Sequence, residues 1–409
     1  MAFLSLSFRI ILSHGYNAFA YKKRSSKLSP RERVLAAFEH KETDRVPIHN
    51  IGFSSRVAST ILGREAYIGG GIQQWREAVS LWEGEEAHRE YLRRSEQDAF
   101  DVSIALEHDI LRLQYWRMAT KPTQRKDKYT FLYGDPEKSW RLMRFDPDTE
   151  LYQVIDQHPP KAEDTFESIE KQITAQEKSL ENYHPSPKAS SSTLALMEKY
   201  GRNWVVRFGG GGLGIPYGSP AWLEAVVARP DLVARYLDVQ AERAVRSMEG
   251  IAAAGVKMVF GGGDFASELG PFYSPQSFHD LMLPRLKRIT DACHKHGLYY
   301  LFASDGNLWP VADDLFGNSG VDGFYEIDGK AGMDLGKLRE RFPHLTMIGN
   351  ISSYTLHTGT KEDVIRETMS CLDEARRSRG IIVGVSNYIM PGTPEENLWA
   401  MIETMKEHR

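Results

Sequence analysis

The alternation of short apolar runs with helical stretches limits the fold of this chain more than any other feature. Between residues 204 and 385, apolar runs alternate with stretches of helical periodicity. These runs cover residues 204–208, 258–260, 298–302, 323–327, 345–348 and 381–385. Two earlier runs, at 46–53 and 110–115, bring the expected strands to eight. The pattern predicts an α/β fold, a (β/α)8 TIM barrel, with a doubly wound open sheet as the alternative.

The sequence pattern of residues 120–200 differs from this alternation of strands and helices, and it predicts an insert in the repeat. Short strand-like runs cover residues 129–133, 140–145 and 151–155. Gly-Asp-Pro and Asp-Pro-Asp turn signals separate them, which is typical of an antiparallel β-meander. A charged stretch with a thin apolar stripe follows at 163–181 and predicts a helix. We therefore expect an inserted meander and helix on the surface of the barrel.

Charge balance and cysteine content exclude several function classes. The chain has 51 basic and 55 acidic residues, and its formal net charge of −4 argues against a nucleic-acid partner. We expect no membrane span. The only cysteines, Cys293 and Cys371, fall in expected helices. This excludes a disulfide framework and a Cys-rich zinc site, and it suits a reducing, cytoplasmic location.

The first 28 residues have a composition of their own. They contain several basic residues and serines, and no acidic residue precedes Glu32. An organelle-targeting segment has this composition, and so does a stretch translated from a misassigned start codon. We therefore set residues 1–28 apart as an N-terminal extension and expect the barrel domain to span residues 29–409.

Carboxylates follow three consecutive expected strands where each strand ends. Asp264 comes after a run that three glycines end, Asp305 follows the next run, and Glu326 lies near the end of the third. Because the loops at the carboxyl ends of barrel strands face one mouth, we expect these residues to converge as catalytic residues. Crowded carboxylates raise one another's pKa or bind a cation, so the same three are candidate ligands of a hard divalent metal ion. The alternative for both aspartates is a role in their turns.

Polar residues in or just past the other expected strands are candidates for substrate binding: His49, Arg56, Arg207, Asn350, Ser386 and Asn387. For His49, the alternative is a hydrogen-bonded core histidine. Residues 209–214 contain a formal GxGxxG, but Pro216 stands where a dinucleotide-binding loop would open a helix. We instead expect the glycines to let the backbone approach a ligand at the barrel mouth.

Three parts of the chain resemble the uroporphyrinogen decarboxylase superfamily, and the resemblance covers roughly residues 29 to 409. They are RERVLAAFEHKETDRVPI near the start, DFASELGPFYSPQSF with MLPRLKRI in the middle, and IIVGVSNYIMPGTPEENLWAMIE near the end. The resemblance implies a (β/α)8 barrel, in agreement with the strand count. It also implies one of two activities, because the superfamily contains decarboxylases and methyltransferases that move methyl groups between corrinoid proteins and thiols.

Departures from the motifs of the two branches bear on the choice between them. The decarboxylases' arginine-rich stretch, similar to RQAGRY, appears here as HNIGFSSR, and their GHG motif appears as Val385-Ser386-Asn387. Uroporphyrinogen bears eight carboxylates, and an acidic mouth with few arginines does not offset their desolvation. The methyltransferase branch matches better at DFASELGP, but its His-x-Cys zinc pair and later cysteine appear as Ala303, Asp305 and Ser386 or Asn387. Thiolate-zinc chemistry is therefore not expected, whereas an oxygen-ligand site is.

The resemblance thus favours the methyltransferase-like branch over the true decarboxylases. The predicted function is methyl transfer from a small methylated substrate to or from a corrinoid-binding partner protein. A divalent metal ion is a candidate cofactor. One alternative is decarboxylation of a porphyrinogen or smaller carboxylic acid, and the other is a non-catalytic ligand-binding barrel.

Overall fold

Strand pairing in the computed structural model follows the order that the sequence pattern predicts. The structure describes residues 28–113, 115–160 and 163–409. One continuous parallel sheet contains Phe208–Gly212, Met258–Gly262, Tyr299–Ala303, Gly323–Tyr325, Thr346–Ile348 and Ile381–Ile382, in that order. Two shorter strands, Ile110–Leu111 and Val205–Val206, pair in parallel with each other. Because Val205–Val206 leads directly into Phe208–Gly212, this pair extends the first edge of the sheet.

The segment around Ile48 links the two ends of this arrangement. Ile48 forms an isolated parallel bridge with Val383, and the Asp109 N–H donates to the Ile48 carbonyl at 2.9 Å. Backbone bonds thus pass through eight strand segments in a ring, with single bonds rather than a regular ladder at this seam. The (β/α)8 architecture expected from the eight units is confirmed.

Two predicted elements differ in detail from those observed. The first predicted strand forms only isolated bridges, because Asn50 Oδ1 accepts the Val385 N–H in place of a backbone carbonyl. The helical stretch expected between the runs at 258–260 and 298–302 contains a π-helical turn, Phe278–Met282, before its α-helical part, Leu283–Lys295.

Helices surround the strands and follow most of them in the chain. The α-helices are Pro30–Phe38, Ser55–Leu62, Gly71–Glu83, Glu85–Ala105, Phe166–Glu181, Ser191–Tyr200, Pro220–Ala228, Pro230–Ala253, Pro275–Ser277, Leu283–Lys295, Leu335–Arg341, Ser353–Thr358, Lys361–Ser378 and Glu395–His408. A 3-10 helix, Trp309–Val311, and a second π-helix, Asp313–Asn318, complete the set found in the described residues. None of these helices combines the length and apolar character needed to cross a membrane.

Apolar side chains fill the barrel interior. The buried members from the strand segments are Ile51, Ile110, Val205, Met258, Phe260, Leu301, Tyr325, Ile348 and Ile382. Val34, Ala37 and Phe38 of the helix Pro30–Phe38 belong to the same cluster. That helix begins with a capping box, in which Ser29 and Glu32 bond each other's backbone N–H groups. Its buried face therefore packs against the interior of the barrel just before the first strand segment.

A buried ion cluster around Asp109 joins distant parts of the chain. The Asp109 carboxylate pairs with Arg33 and Arg409, and it accepts the Ile48 N–H at 2.9 Å. Arg33 also pairs with Asp44 at 2.8 Å. Buried charges are tolerated when they are paired and hydrogen-bonded in this way. One carboxylate thus connects the first helix, the first two strand segments and residue 409.

The insert forms the predicted meander and helix. Its antiparallel strands pair in chain order as Gln124–Arg125, Thr130–Asp135, Ser139–Asp146 and Leu151–His158, and the helix Phe166–Glu181 follows. Phe145 stacks on Trp75 of the helix Gly71–Glu83, with 4.6 Å between ring centroids. The Glu150 carboxylate accepts the backbone N–H groups of Ser55 and Arg56. This contact fixes the insert to the start of the helix that follows the first strand segment.

Candidate active site

Three carboxylates converge where consecutive strands end. Asp264 follows Met258–Gly262, Asp305 follows Tyr299–Ala303, and Glu326 follows Gly323–Tyr325. One ligand oxygen from each residue lies within 4.8 Å of those of the other two. Asp264 is exposed, whereas Asp305 and Glu326 are half-buried. We call these three residues the carboxylate trio.

Two glycines let the loops of the trio pack closely. Gly262 has a φ of 88°, and a Cβ there would lie 2.6 Å from the backbone of the neighbouring strand. Gly306 has a φ of 89°, and a Cβ there would lie 2.8 Å from the backbone of Ala266. Across this contact, the Asp305 N–H donates to Asp264 Oδ1 at 3.3 Å. The separation of the two aspartates therefore depends on backbone geometry that only glycine adopts without strain.

Glu326 has an unusual backbone conformation. Its φ is 71°, in the left-handed region that residues other than glycine rarely occupy. Such strain costs on the order of 1–3 kcal/mol and persists where the surrounding structure imposes it, often in functional sites. Here the strain accompanies the placement of the carboxylate beside Asp264 and Asp305.

Burial and mutual repulsion raise the pKa of two members of the trio. The pKa of Asp305 rises to about 7 through burial first and then through the charges of Asp264 and Asp328, while a hydrogen bond from Asn387 lowers it. The pKa of Glu326 rises to about 8 through burial and then through the charges of Asp305 and Asp264. Interacting groups titrate as a pair, so the two carboxyls together retain a proton at neutral pH. The trio is thus suited to donate a proton or, once deprotonated, to bind a cation.

The first three strand segments contribute basic side chains to the barrel interior. Arg112 and Arg207 lie two residues beyond Ile110 and Val205, which belong to the interior cluster, so strand alternation directs them to the same side. His49 also faces inward, since its ring centroid lies 5.9 Å from that of Tyr325. We call His49, Arg112 and Arg207 the basic group.

Several polar atoms in this region have no hydrogen-bond partner. The Nη1 atom of Arg207, both ring nitrogens of His49 and the Tyr325 hydroxyl are buried without one. Burial, followed by the charges of His108, Arg207 and Arg112, holds the pKa of His49 well below its usual range, so its imidazole is neutral. Burial and the charge of Arg112 lower the pKa of Arg207 to about 10. Unpaired buried groups cost about 1–3 kcal/mol each and call for an explanation.

The remaining predicted residues divide into two sets. Asn387 Nδ2 donates to Asp305 Oδ2 and therefore lies beside the trio. The side-chain amide of Asn350 is buried and unpartnered, and Ser386 Oγ accepts the Ser353 N–H at 3.3 Å. Their roles in substrate binding stay predictions.

Arg56 lies against the insert. It pairs with Glu150 at 3.7 Å and donates to the Pro147 carbonyl. The structure thus engages this side chain in a contact with the meander, and a role in substrate binding rests on the sequence alone.

Sequence inspection missed Arg112 and Tyr325 as residues of this region. Arg112 donates to the Ile51 carbonyl at 2.5 Å and lies over the Tyr115 ring. Tyr325 immediately precedes Glu326 and lies beneath Arg207, whose guanidinium carbon is 5.4 Å from the ring centroid. The spacing of Arg112 from Ile110 indicates that the two share one side of the strand, because the sides alternate from residue to residue, but it does not show which side faces the barrel.

One glycine of the run at 209–214 accommodates a side chain of the protein, and for the others the expected approach of a ligand stays a prediction. Phe208–Gly212 is a strand, and a Cβ at Gly211 would lie 2.4 Å from the ring of Tyr300. The Tyr300 hydroxyl donates to the Gly211 carbonyl. At this position the absent side chain accommodates a tyrosine of the protein itself rather than a ligand.

The donor set of the trio determines which metal chemistry it suits. The three residues offer only carboxylate oxygens, which hard cations such as Mg²⁺, Ca²⁺ and Mn²⁺ prefer. Both cysteines are buried elsewhere: Cys293 Sγ contacts Met248 at 3.5 Å, and Cys371 Sγ donates to the Asn350 carbonyl. The residues present therefore do not fit the thiolate-zinc site of the methyltransferase branch.

Fold and site together define a (β/α)8 barrel protein with ionisable groups gathered at the carboxyl ends of its strands. Residues 217–408 match the family model described as Uroporphyrinogen decarboxylase (URO-D). This part of the chain, which supplies the trio, is similar to that family, in agreement with the resemblance noted from the sequence motifs within it.

Two individual proteins illustrate the similarity. The uroporphyrinogen decarboxylase of Anaeromyxobacter sp. (strain Fw109-5) is 29% identical over 129 residues, which cover 31% of this chain and 35% of that relative. The match thus spans about a third of the relative's length. A methyltransferase from Methanosarcina mazei has a similar structure, with a TM-score of 0.60 and 18% identity, over 93% of this chain and 99% of that one. At this identity the structural similarity supports the fold alone.

Proposed function

We propose that this protein is an enzyme that transfers a methyl group from a small methylated substrate to a corrinoid carried by a partner protein. The observation that carries the proposal is the carboxylate trio, in which the pKa values of Asp305 and Glu326 rise to about 7 and about 8. The match of DFASELGP to the methyltransferase branch supports the choice of reaction class, and the fold is one that a methyltransferase from Methanosarcina mazei also has.

The trio meets the chemical requirement of the leaving group. In methyl transfer, an electron pair of the acceptor forms the new bond to the methyl carbon. The electron pair of the broken bond stays on the substrate heteroatom, which is a poor leaving group unless it gains a proton. In this proposal Glu326 and Asp305, which together retain a proton at neutral pH, supply it to the heteroatom. A divalent cation bound by the same oxygens would polarise that heteroatom instead.

Free reduced cobalamin provides a direct test of methyl transfer. We expect the protein, under anaerobic conditions, to convert the Co(I) form to methylcobalamin with some member of a panel of methyl ethers, methylamines and methyl thioethers. The absorbance of the Co(I) form and chromatography of the demethylated product measure the reaction. The exposed variant Asp373→Asn serves as the control and should behave like wild type. If no donor in the panel is demethylated, methyl transfer is contradicted.

Cation binding by the trio should depend steeply on pH. Because Asp305 and Glu326 must lose protons with pKa values of about 7 and about 8, the affinity for Mn²⁺ should rise between pH 6 and pH 9. Each displaced proton adds up to about tenfold per pH unit below its pKa. Calorimetry in buffers of different ionisation enthalpy measures both the affinity and the protons released. Absence of binding at pH 9 would contradict the cation role and leave the trio as a proton donor.

Decarboxylation of a small carboxylic acid is the second candidate function. The basic group favours it, since a buried guanidinium is a suitable partner for a carboxylate. Loss of CO₂ leaves a carbanion that needs a proton, and the protonated trio would supply that as well.

Uroporphyrinogen itself is not expected to be turned over at a useful rate. Arg112 and Arg207 are two cations, too few to offset the desolvation of eight carboxylates. Chromatography of the carboxylated products after incubation with uroporphyrinogen measures the rate of turnover. Rapid and complete conversion to the four-carboxylate product would show the prediction wrong.

A further inference from the structure

The basic and the acidic groups of the barrel mouth come from different strands. His49, Arg112 and Arg207 come from the first three strand segments in the ring, and the carboxylate trio follows the next three. Tyr325 and Glu326 connect the two groups, because they are adjacent in the chain and the Tyr325 ring lies beneath Arg207. The interior is therefore basic on one side and acidic on the other.

The basic side presents hydrogen-bond donors that no protein group uses. Arg207 Nη1 is inaccessible to solvent and unpartnered. His49 has an exposed fraction of 0%; the Ile110 backbone lies close to its ring, but neither ring nitrogen has a partner with hydrogen-bond geometry. Because the neutral imidazole carries one N–H, it supplies a second donor beside the guanidinium. These two buried donors lie on the strand segments on either side of Ile110–Leu111, close to the positive charges of Arg112 and Arg207. Together they are the features of a site for an anion.

Contacts within the basic group favour a small planar anion. The Arg207 guanidinium stacks over the Phe260 ring at 4.0 Å, which leaves its edge as the hydrogen-bonding surface. A guanidinium edge matches a carboxylate with two parallel hydrogen bonds. The charge of Glu326 raises the pKa of Arg207, but Nη1 itself has no partner and stays available to a ligand.

We propose that the substrate is a small methylated carboxylate, whose carboxylate group binds Arg207 and His49 while its methyl-bearing heteroatom lies at the trio. The reverse orientation would place one carboxylate against three others and leave the buried guanidinium unpaired. This substrate class rests on the proposed function, since methyl transfer is what requires the heteroatom at Asp305 and Glu326. The location of the anion site rests on the basic group alone.

Equilibrium binding tests the anion site independently of catalysis. Methoxyacetate and 4-methoxybenzoate serve as aliphatic and aromatic probes, and methoxyacetamide and 4-methoxybenzamide are their neutral counterparts. For at least one acid–amide pair, we expect calorimetry without any acceptor to show the acid binding at least about tenfold more tightly than its amide. This preference should disappear in Arg207→Met. It should fall in Arg207→Lys, which keeps the positive charge but lacks the planar guanidinium that bonds both carboxylate oxygens. The exposed variant Arg89→Met should keep the preference in full.

The outcomes separate this inference from the proposed function. Equal binding of every acid and its amide, or an unchanged preference in Arg207→Met, would overturn the anion site. If Arg207→Met does not fold, the comparison of wild type with Arg207→Lys decides. Loss of the guanidinium alone should weaken the binding of the acids and leave the binding of the amides unchanged. A clear acid preference without methyl transfer would uphold the anion site and refute methyl transfer.

Discussion

Asp305→Asn should reduce methyl transfer by about 100- to 10,000-fold, which is the usual contribution of a positioned general acid or base. The substitution keeps the shape of the side chain and removes both its charge and its titrating proton. The carboxamide neither protonates a leaving group nor acts as an anionic ligand for a cation. Single-turnover assays with reduced cobalamin, performed at saturating donor concentration, measure the chemical step.

The same substitution should not destabilise the fold. The folded state raises the pKa of Asp305 from 3.8 to about 7, so it disfavours the charged form relative to the unfolded chain. This penalty is absent near pH 4, grows as the pH rises above the unfolded pKa and is complete above the folded pKa. In the absence of metal ions, Asp305→Asn should therefore melt with wild type near pH 4 and several degrees above it at pH 8.

Calorimetric melting at both pH values, with Asp373→Asn as the exposed control, distinguishes the two roles of Asp305. A catalytic carboxylate gives loss of activity with equal or higher stability. If Asp305→Asn instead melts many degrees lower and keeps its ligand binding, Asp305 stabilises the turn in which it lies. Its assignment as a catalytic residue is then wrong.

Asp109→Ala should destabilise the fold by about 3–5 kcal/mol. The change removes the shared partner of Arg33 and Arg409 and leaves the buried Ile48 N–H without its acceptor. Arg33 retains Asp44, but Arg409 loses its ion pair while it remains almost fully buried. The residual cost is therefore that of a buried, unpaired guanidinium.

Urea-induced unfolding measures this loss, with Asp313→Ala as the matched control. Asp313 pairs with Arg341 at an exposed position, so its removal should cost less than about 1 kcal/mol. Asp109→Asn, which keeps an acceptor for Ile48, should be intermediate. Equal stabilities of Asp109→Ala and Asp313→Ala would mean that the buried cluster does not contribute to the stability of the barrel.

The sequence alone determined the architecture and the members of the trio. Period-two and helical patterns set the order of strands and helices, and turn residues marked the meander. Because parallel strands present their carboxyl ends at one face, residues as distant as Asp264 and Glu326 were expected to converge without any knowledge of side-chain contacts. The structure brings them within 4.8 Å.

Only the tertiary structure decided the chemistry of that face. The raised pKa values of Asp305 and Glu326 depend on burial, which no local pattern encodes. The inward position of Arg112 depends on which side of a strand faces the barrel, and the short run around it is too apolar on both sides to show that. Arg56 lies against the insert because Glu150, 94 residues further along the chain, accepts its backbone N–H. Local periodicity sets the elements, whereas contacts between residues far apart in the chain set dielectric, charge and hydrogen bonding at the site.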